Sequence, residues 1–306
     1  MTLMELIESG AARFTGAQLA FGHGTTNAFD ESAWLVLWTL GMPLDTPLEG
    51  PDSKQNMAVD PVDAARAAII FESRVNTRKP AAYLTHEAWL QGVSFYVDER
   101  VIVPRSLIAE LMADGSLDYW LHETTQTVLD LCTGNGSLAI LAALTYPEVE
   151  VTASDLSTDA LAVARINVDR HELQGRITLL ESNGLTAPDL LARGPFDLIL
   201  CNPPYVNASS MAQLPPEYRA EPALALDGNH LGGIDGMDFI RTLLKDAPTH
   251  MAAGAVLVLE VGNERDHFEA AFPHLEVIWL ETSAGDEQVL VATRQALEHF
   301  SLQQEQ

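Results

Sequence analysis

Cysteines, basic side chains and long apolar runs are all scarce in this sequence. Cysteine occurs twice among 306 residues, as Cys132 and Cys201. Both lie in apolar, strand-like stretches, so a disulfide framework or a zinc cluster is not expected, and no metal site is. Lys and Arg number 17 against 43 Asp and Glu, a formal charge of -26. That balance argues against non-specific binding to a phosphate backbone, which needs clustered bases. It suits a basic partner, and it equally suits plain solubility. No apolar run approaches the ~20 residues of a membrane span. The acidic opening "MTLMELIESG" lacks the basic stretch of a secretory signal. A reduced, cytoplasmic protein without membrane contact is expected. There is no internal repeat and no low-complexity tract.

What is present is a good supply of core: 47% of residues are hydrophobic. The length fits one large or two ordinary domains. Helical spacing over Thr2–Phe14, Glu31–Leu40 and Pro61–Val75 predicts a helical N-terminal region. The Pro-, Asp- and Gly-rich "DTPLEGPDSKQN" between them reads as a loop. "VSFYVDERVIV" (93–103) reads as a hairpin turning near Asp98 and Glu99. From Thr127 onward, seven short apolar runs are expected as strands: "TVLDLC", "VTASDL", "ITLLES", "FDLILC", "AVLVLEVG", "LEVIWLE" and "EQVLVATR". Helical patterns over Ser137–Thr145, Thr158–Glu172, Leu185–Ala192 and Gly236–Met251 separate the first five. This alternation predicts an α/β, mostly parallel sheet with helices on both faces, ending in an antiparallel hairpin across "TSAGD". The expected division is a helical region 1–92, a linking hairpin 93–104 and an α/β domain 105–306.

Two turns in that domain carry chemistry. In "VLDLCTGNGSLAI" (128–140) an apolar strand runs into Gly134-Asn135-Gly136 and a helix follows. Glycines let a ligand lie against the backbone at the helix head. Asp155 lies 19 positions after Gly136, the place of a carboxylate that grips ribose hydroxyls. A cap at Ser157 or Thr158 does not account for Asp155, which precedes it. The ligand stays open: Gly134, Gly136 and Ala139 also fit the pattern of NAD enzymes. Asp130 at the strand end suits an ammonium or sulfonium group better than a pyrophosphate, which leans toward S-adenosylmethionine. A tight turn without ligand is the alternative.

The second turn ends "FDLILCNPPYV" (196–206). Pro204 holds Pro203 extended, so the Asn202 side-chain oxygen and the Pro203 carbonyl are two acceptors for one NH2 group. Tyr205 adds a flat face. Accepting both protons favours charge building on a weakly nucleophilic nitrogen and aims it at a methyl group, and positioning of this kind supplies ~7–11 kcal/mol of a barrier. The alternative is a strand-terminating turn.

With these motifs on the page, the sequence resembles the HemK-type protein-glutamine methyltransferases. "RKPAAYL" (78–84), "FYVDERVIVPRS" (95–106), "DLCTGNGSLAI", "CNPPYV", "EYRAEPALAL" (217–226) and "LEVGN" (259–263) occur in that family's order. The resemblance implies a class I S-adenosylmethionine-dependent methyltransferase fold, Rossmann-like, and methyl transfer to a glutamine amide in a protein of the translation machinery. It implies a cofactor site of Asp130, Thr133, Gly134, Gly136, Asp155, Leu156, Asn183 and Asn202. Asn202, Pro203, Pro204 and Tyr205 would hold the glutamine. "PRSLIAEL" (104–111) departs from the release-factor branch, and "FGHGTTNAFDE" (21–31) is similar to the branch that modifies ribosomal large-subunit protein three, a basic partner. The alternatives are a release-factor enzyme, a base-amine methyltransferase without the expected basic stripes, and a non-catalytic assembly factor.

Two departures stand out. Asn183 replaces the acid that often meets the adenine amine, and "LDGNHLGGIDG" (226–236) is longer than usual. Arg105 is expected to pair with a cofactor or substrate carboxylate, or else in an ordinary salt bridge. Glu260 is expected to orient the Asn202 turn or to be solvated. His23 reads as a loop histidine with a possible substrate contact, and "MAQLPPEYRAEP" (211–222) as a lid.

Overall fold

A computed structural model describes residues 1–122 and 124–304. The N-terminal region forms α1 (Leu3–Gly16), α2 (Ala28–Thr39), α3 (Pro61–Thr77) and α4 (Ala81–Thr85). Local chemistry sets their starts. Thr2 and Glu5 make a reciprocal capping box, Asn27 accepts from the Asp30 N–H, and Asp60 caps a helix that opens on Pro61. Leu3, Ile7 and Phe14 of α1, Leu35 of α2 and Phe71 of α3 form one buried cluster.

Next come β1 (Ala88–Leu90) and β2 (Val93–Phe95), paired antiparallel with Leu90 opposite Val93. The hairpin expected over 93–103 therefore lies earlier, turning at Gln91-Gly92. Both of these residues are left-handed, with φ of 49° and 75°, the geometry of a two-residue hairpin turn. Residues 96–103 form no strand, because the Asp98 carboxylate folds back onto the Arg100 backbone N–H and guanidinium.

The main domain follows α5 (Ile108–Ala113). Its elements are β3 (Thr127–Leu131), α6 (Ser137–Thr145), β4 (Glu150–Asp155), α7 (Thr158–Arg170), β5 (Ile177–Glu181), α8 (Pro188–Arg193), β6 (Phe196–Cys201), α9 (Ala208–Gln213), α10 (Asp238–Asp246), β7 (Met251–Glu260), α11 (Arg265–Ala271), β8 (Ile278–Thr282), β9 (Gly285–Thr293) and α12 (Arg294–Gln304). The strands of the main domain form one sheet in the order β5-β4-β3-β6-β7-β9-β8, and β9 alone runs against the direction of the other six. This is the expected seven-stranded sheet, with the refinement that β9 inserts between β7 and β8.

Side-chain alternation divides the core in two. Val128, Leu198, Leu200, Val256 and Val258 face the layer that holds α5 and α6. Leu129, Leu131, Ile199, Leu257 and Leu259 face the layer that holds α10. The helical region docks on α7, where Ala160 and Val163 join its cluster. Buried Asn167 of α7 accepts from the Tyr96 N–H at 2.7 Å and donates to the carbonyls of Tyr96 and Asn135 at 3.0 and 2.9 Å. One amide thus ties the linking segment to the glycine turn. Among the described residues, no helix is long and apolar enough to cross a membrane.

Candidate active site

Strand order reverses at β3, whose neighbours are β4 on one side and β6 on the other. Open α/β sheets bind ligands at that switch point, beyond the carboxyl ends of the strands. A cavity of about 280 Å³ lies there. Thr133, Gly134, Asp155, Leu156, Asn183, Asn202, Pro204 and Arg105 all line it.

On one side of the cavity, main chain and short polar contacts do the holding. The Asp155 carboxylate accepts from the Gly134 and Ser157 N–H groups, each at 2.9 Å. It thereby joins the turn after β3 to the turn after β4. Burial raises its pKa, and these N–H donors pull it back. Gly134 is left-handed at φ 55°, and a Cβ there would meet nothing within 4 Å, so the turn presents open backbone to the cavity. Gly136 serves differently. It lies at φ 83°, and a Cβ there would sit 3.2 Å from Ala164 of α7. It is needed for helix entry and helix packing and does not line the cavity.

Asp130 also departs from its expected role of facing a charged ligand. Its side chain is 0% exposed and lies behind the turn. One oxygen accepts from the Thr133 hydroxyl and from the Ala139 N–H, while the other has no partner among the described residues. Burial pushes the carboxyl up to about 7, against the pull of those two donors. Asp130 therefore braces the turn from within.

The "NPPY" turn brings Asn202 and Pro204 to the cavity wall, with Pro203 and Tyr205 behind it. The Tyr205 ring packs where a Cβ on Gly262 would approach within 2.6 Å, and its hydroxyl reaches Glu260 at 3.5 Å. Glu260 is buried and accepts from the Ser106 hydroxyl at 2.5 Å and the Leu107 N–H at 3.0 Å. It links the end of β7, the start of α5 and Tyr205, and neither it nor Tyr205 meets the cavity directly. Tyr205 thus supports the turn from below. The long 226–236 loop packs on the other flank. The Asn229 amide donates to the Val206 carbonyl at 2.9 Å, and Asp238 gathers the Leu231 and Gly233 N–H groups at 2.7 and 3.0 Å.

The opposite wall is assembled from distant segments joined by buried charge. Glu221 accepts from both ends of the Arg105 guanidinium at 2.7 and 2.8 Å and from the Val103 N–H at 2.9 Å. Burial would raise the Glu221 carboxyl, but His23 at 3.5 Å and the Arg105 guanidinium together hold it at about 2. Arg105 is therefore engaged in an internal pair. Glu217 takes Arg78 of the N-terminal region at 2.9 Å, and Arg74 pairs with Glu31 at 2.7 Å. His23 is buried against the Tyr218 ring, 4.3 Å between centroids. The 217–222 segment, expected as a lid, is clamped to both regions.

Comparison with known proteins decides the family. The chain is 52% identical to the ribosomal protein uL3 glutamine methyltransferase of Burkholderia pseudomallei, over 95% of this chain and 94% of that protein. It belongs to the ribosomal protein uL3 glutamine methyltransferase family. The Bordetella pertussis relative of the same name is 50% identical over 97% of this chain and 96% of that one. A Neisseria meningitidis member is 44% identical over 97% and 94%. The methyltransferase small domain model matches residues 114–214. In fold, the chain is similar to the hMettl16 catalytic domain solved in complex with MAT2A 3'UTR hairpin 1, with a TM-score of 0.51, 15% identity, and coverage of 79% of this chain and 83% of that one. The chain thus has the class I methyltransferase fold.

Several cavity residues were not among the expected site residues. Arg100, Val101 and Ile102 lie in the segment read as a hairpin strand, Pro222 ends the segment read as a lid, and Leu224 and Ala225 follow it. His230 and Phe239 reach the cavity from the long loop and α10 beside Asn183 and Gly184. Glu221, the acid that holds one wall, has no periodic or turn context to mark it.

Proposed function

We propose that this protein transfers a methyl group from S-adenosylmethionine to the side-chain amide nitrogen of a glutamine in ribosomal protein uL3. The observation that carries the reading is the 44–52% identity, over nearly the whole chain, to proteins of that name. The strongly acidic chain suits a basic ribosomal protein.

S-adenosylmethionine supplies a methyl group already activated on a sulfonium sulfur. The site fits that molecule: open backbone at Gly134 beside a carboxylate at Asp155 matches a ribose lying on the turn. Thr133 and Leu156 flank that position, and the Asn183 amide oxygen is an acceptor for an exocyclic amine. On the other side, the Asn202 amide oxygen at the cavity wall accepts from the glutamine NH2, and Pro203 fixes the turn behind it. When bound, the cofactor would supply its methyl group to that nitrogen; Asn202 would hold the amide in place, and the surplus proton would pass to solvent afterwards, so no general base is needed before transfer. Pro204 lines the entry, Tyr205 and Glu260 hold the turn, and Arg105 holds the opposite wall. Residues 1–92 serve as the docking region for the substrate, since His23 and Arg78 are tied to the 217–222 segment at the cavity.

Mass spectrometry of uL3 and of release factors after incubation with labelled cofactor tests this. One methyl on a single uL3 glutamine is expected. In Asn202→Ala, turnover should fall by about 10²–10³-fold with the fold retained. Label on a release factor with none on uL3 would overturn the substrate, and near-normal turnover by Asn202→Ala would overturn the mechanism.

A further inference from the structure

Two stretches, 100–106 and 222–225, line the cavity, and Ser106 of the first is joined through Glu260 to Tyr205 of the proline turn; with Asn202 they frame the mouth, the approach to the glutamine position proposed above. The only charged side chains in these two stretches are Arg100 and Arg105. In so acidic a chain, a free arginine here would be a docking point for an acid. Each is instead closed by an acid of the protein itself. Arg100 reaches the two oxygens of Asp98 at 2.9 and 2.6 Å, and Arg105 reaches those of Glu221 at 2.7 and 2.8 Å. Between these pairs the wall is apolar: Ile102, Pro104, Pro222 and Leu224. Leu224 is 53% exposed although it lines the cavity, which places it at the rim.

We infer that this charge-compensated apolar mouth receives the residues immediately flanking the acceptor glutamine and selects uncharged ones, the basic character of the substrate being read farther from the site. The inference rests on the function proposed above. The occupant is the substrate's own chain, which must pass between the two stretches to bring a glutamine to Asn202. A lysine beside that glutamine would lose hydration against Leu224 and find both nearby acids already engaged. A glutamate would have to take Arg105 from Glu221 and leave a carboxylate buried without its partner. An apolar or small neighbour gains by covering Leu224.

The test is steady-state kinetics on uL3 with a residue next to the modified glutamine changed in turn to Leu, Lys and Glu. The Leu form should keep KM within about threefold, and the Lys and Glu forms should raise it about tenfold or more. Leu224→Glu should narrow the gap between the Leu and Lys forms, and calorimetry should find its S-adenosylmethionine affinity unchanged. Equal use of all three forms, or a flank preference unmoved by Leu224→Glu, overturns the inference while methylation of parent uL3 keeps the proposed function. No methylation of parent uL3 by the parent enzyme overturns both.

Discussion

The two walls of the cavity are built by different means. The wall at β3 and β4 comes from neighbouring residues: two turns after adjacent strands, joined by Asp155 through backbone N–H groups and braced by Asp130 from behind. The facing wall comes from segments more than 100 positions apart, joined by ion pairs such as Arg105 with Glu221. Local main-chain geometry suits a ligand that never varies. A wall pinned at a few charged points can hold an apolar mouth open for a protein segment, and it depends on every partner being present.

The largest effect is expected where the distant wall is cut. Glu221→Ala leaves Arg105 and His23 without their acid and the Val103 N–H without an acceptor, and should cost about 3–5 kcal/mol of stability. Urea unfolding measures this. In the same variant, KM for uL3 should rise while S-adenosylmethionine affinity holds. An equal loss of cofactor affinity would show that the walls are not separable.

Next in size is the buried brace of the near wall. In the folded protein Asp130 keeps its proton up to about pH 7, whereas an unfolded chain releases it near pH 4. The folded state therefore binds more protons between those values, and stability falls as pH rises across them. Asp130→Asn keeps an acceptor for Thr133 and Ala139 and should lack that fall, gaining up to about 4 kcal/mol over the parent between pH 4 and pH 8. Parallel pH–stability profiles for the two proteins would mean that charge at Asp130 is part of how the turn is held.

The smallest effect falls on the cofactor alone. Asp155→Ala should weaken S-adenosylmethionine binding by about 10–100-fold in calorimetry, with KM for uL3 little changed. An unchanged dissociation constant would remove Asp155 from the near wall's function.

Legibility in the sequence follows the same division. Strands β3 to β9 and the helices α1, α2, α3, α6 and α7 are readable because an apolar period continues over enough residues. Helices α4, α5, α8, α9 and α11 span only five to seven residues, too few turns to display a period; of these, only α8 left a trace, in the pattern over Leu185–Ala192. The pattern read through Met251 ends at Asp246, and a 3-10 turn containing Pro248 follows. The displaced hairpin has a similar cause. Apolar "VIV" (101–103) resembles a strand, yet Val101 and Val103 are buried by the helical region and Val103 donates to Glu221.

By itself the sequence determined the order of strands and helices, the glycine turn, the carboxylate 19 positions on and the proline turn after the fourth strand of the sheet. Each of these rests on residues close together in the chain, where backbone angles and periodicity are decided. Which of those residues meet the cavity was decided only by packing. Gly134, Asp155 and Asn202 reach it, while Asp130, Gly136, Pro203, Tyr205 and Glu260 stand behind it. The reason is physical: a side chain's direction follows from its strand register and from what fills the other face, and here the fillers are α7, Gly262 and the start of α5, all remote in sequence. The far wall belongs wholly to tertiary structure, because Glu221 acquires its role only when Arg105, Val103 and His23 are brought around it.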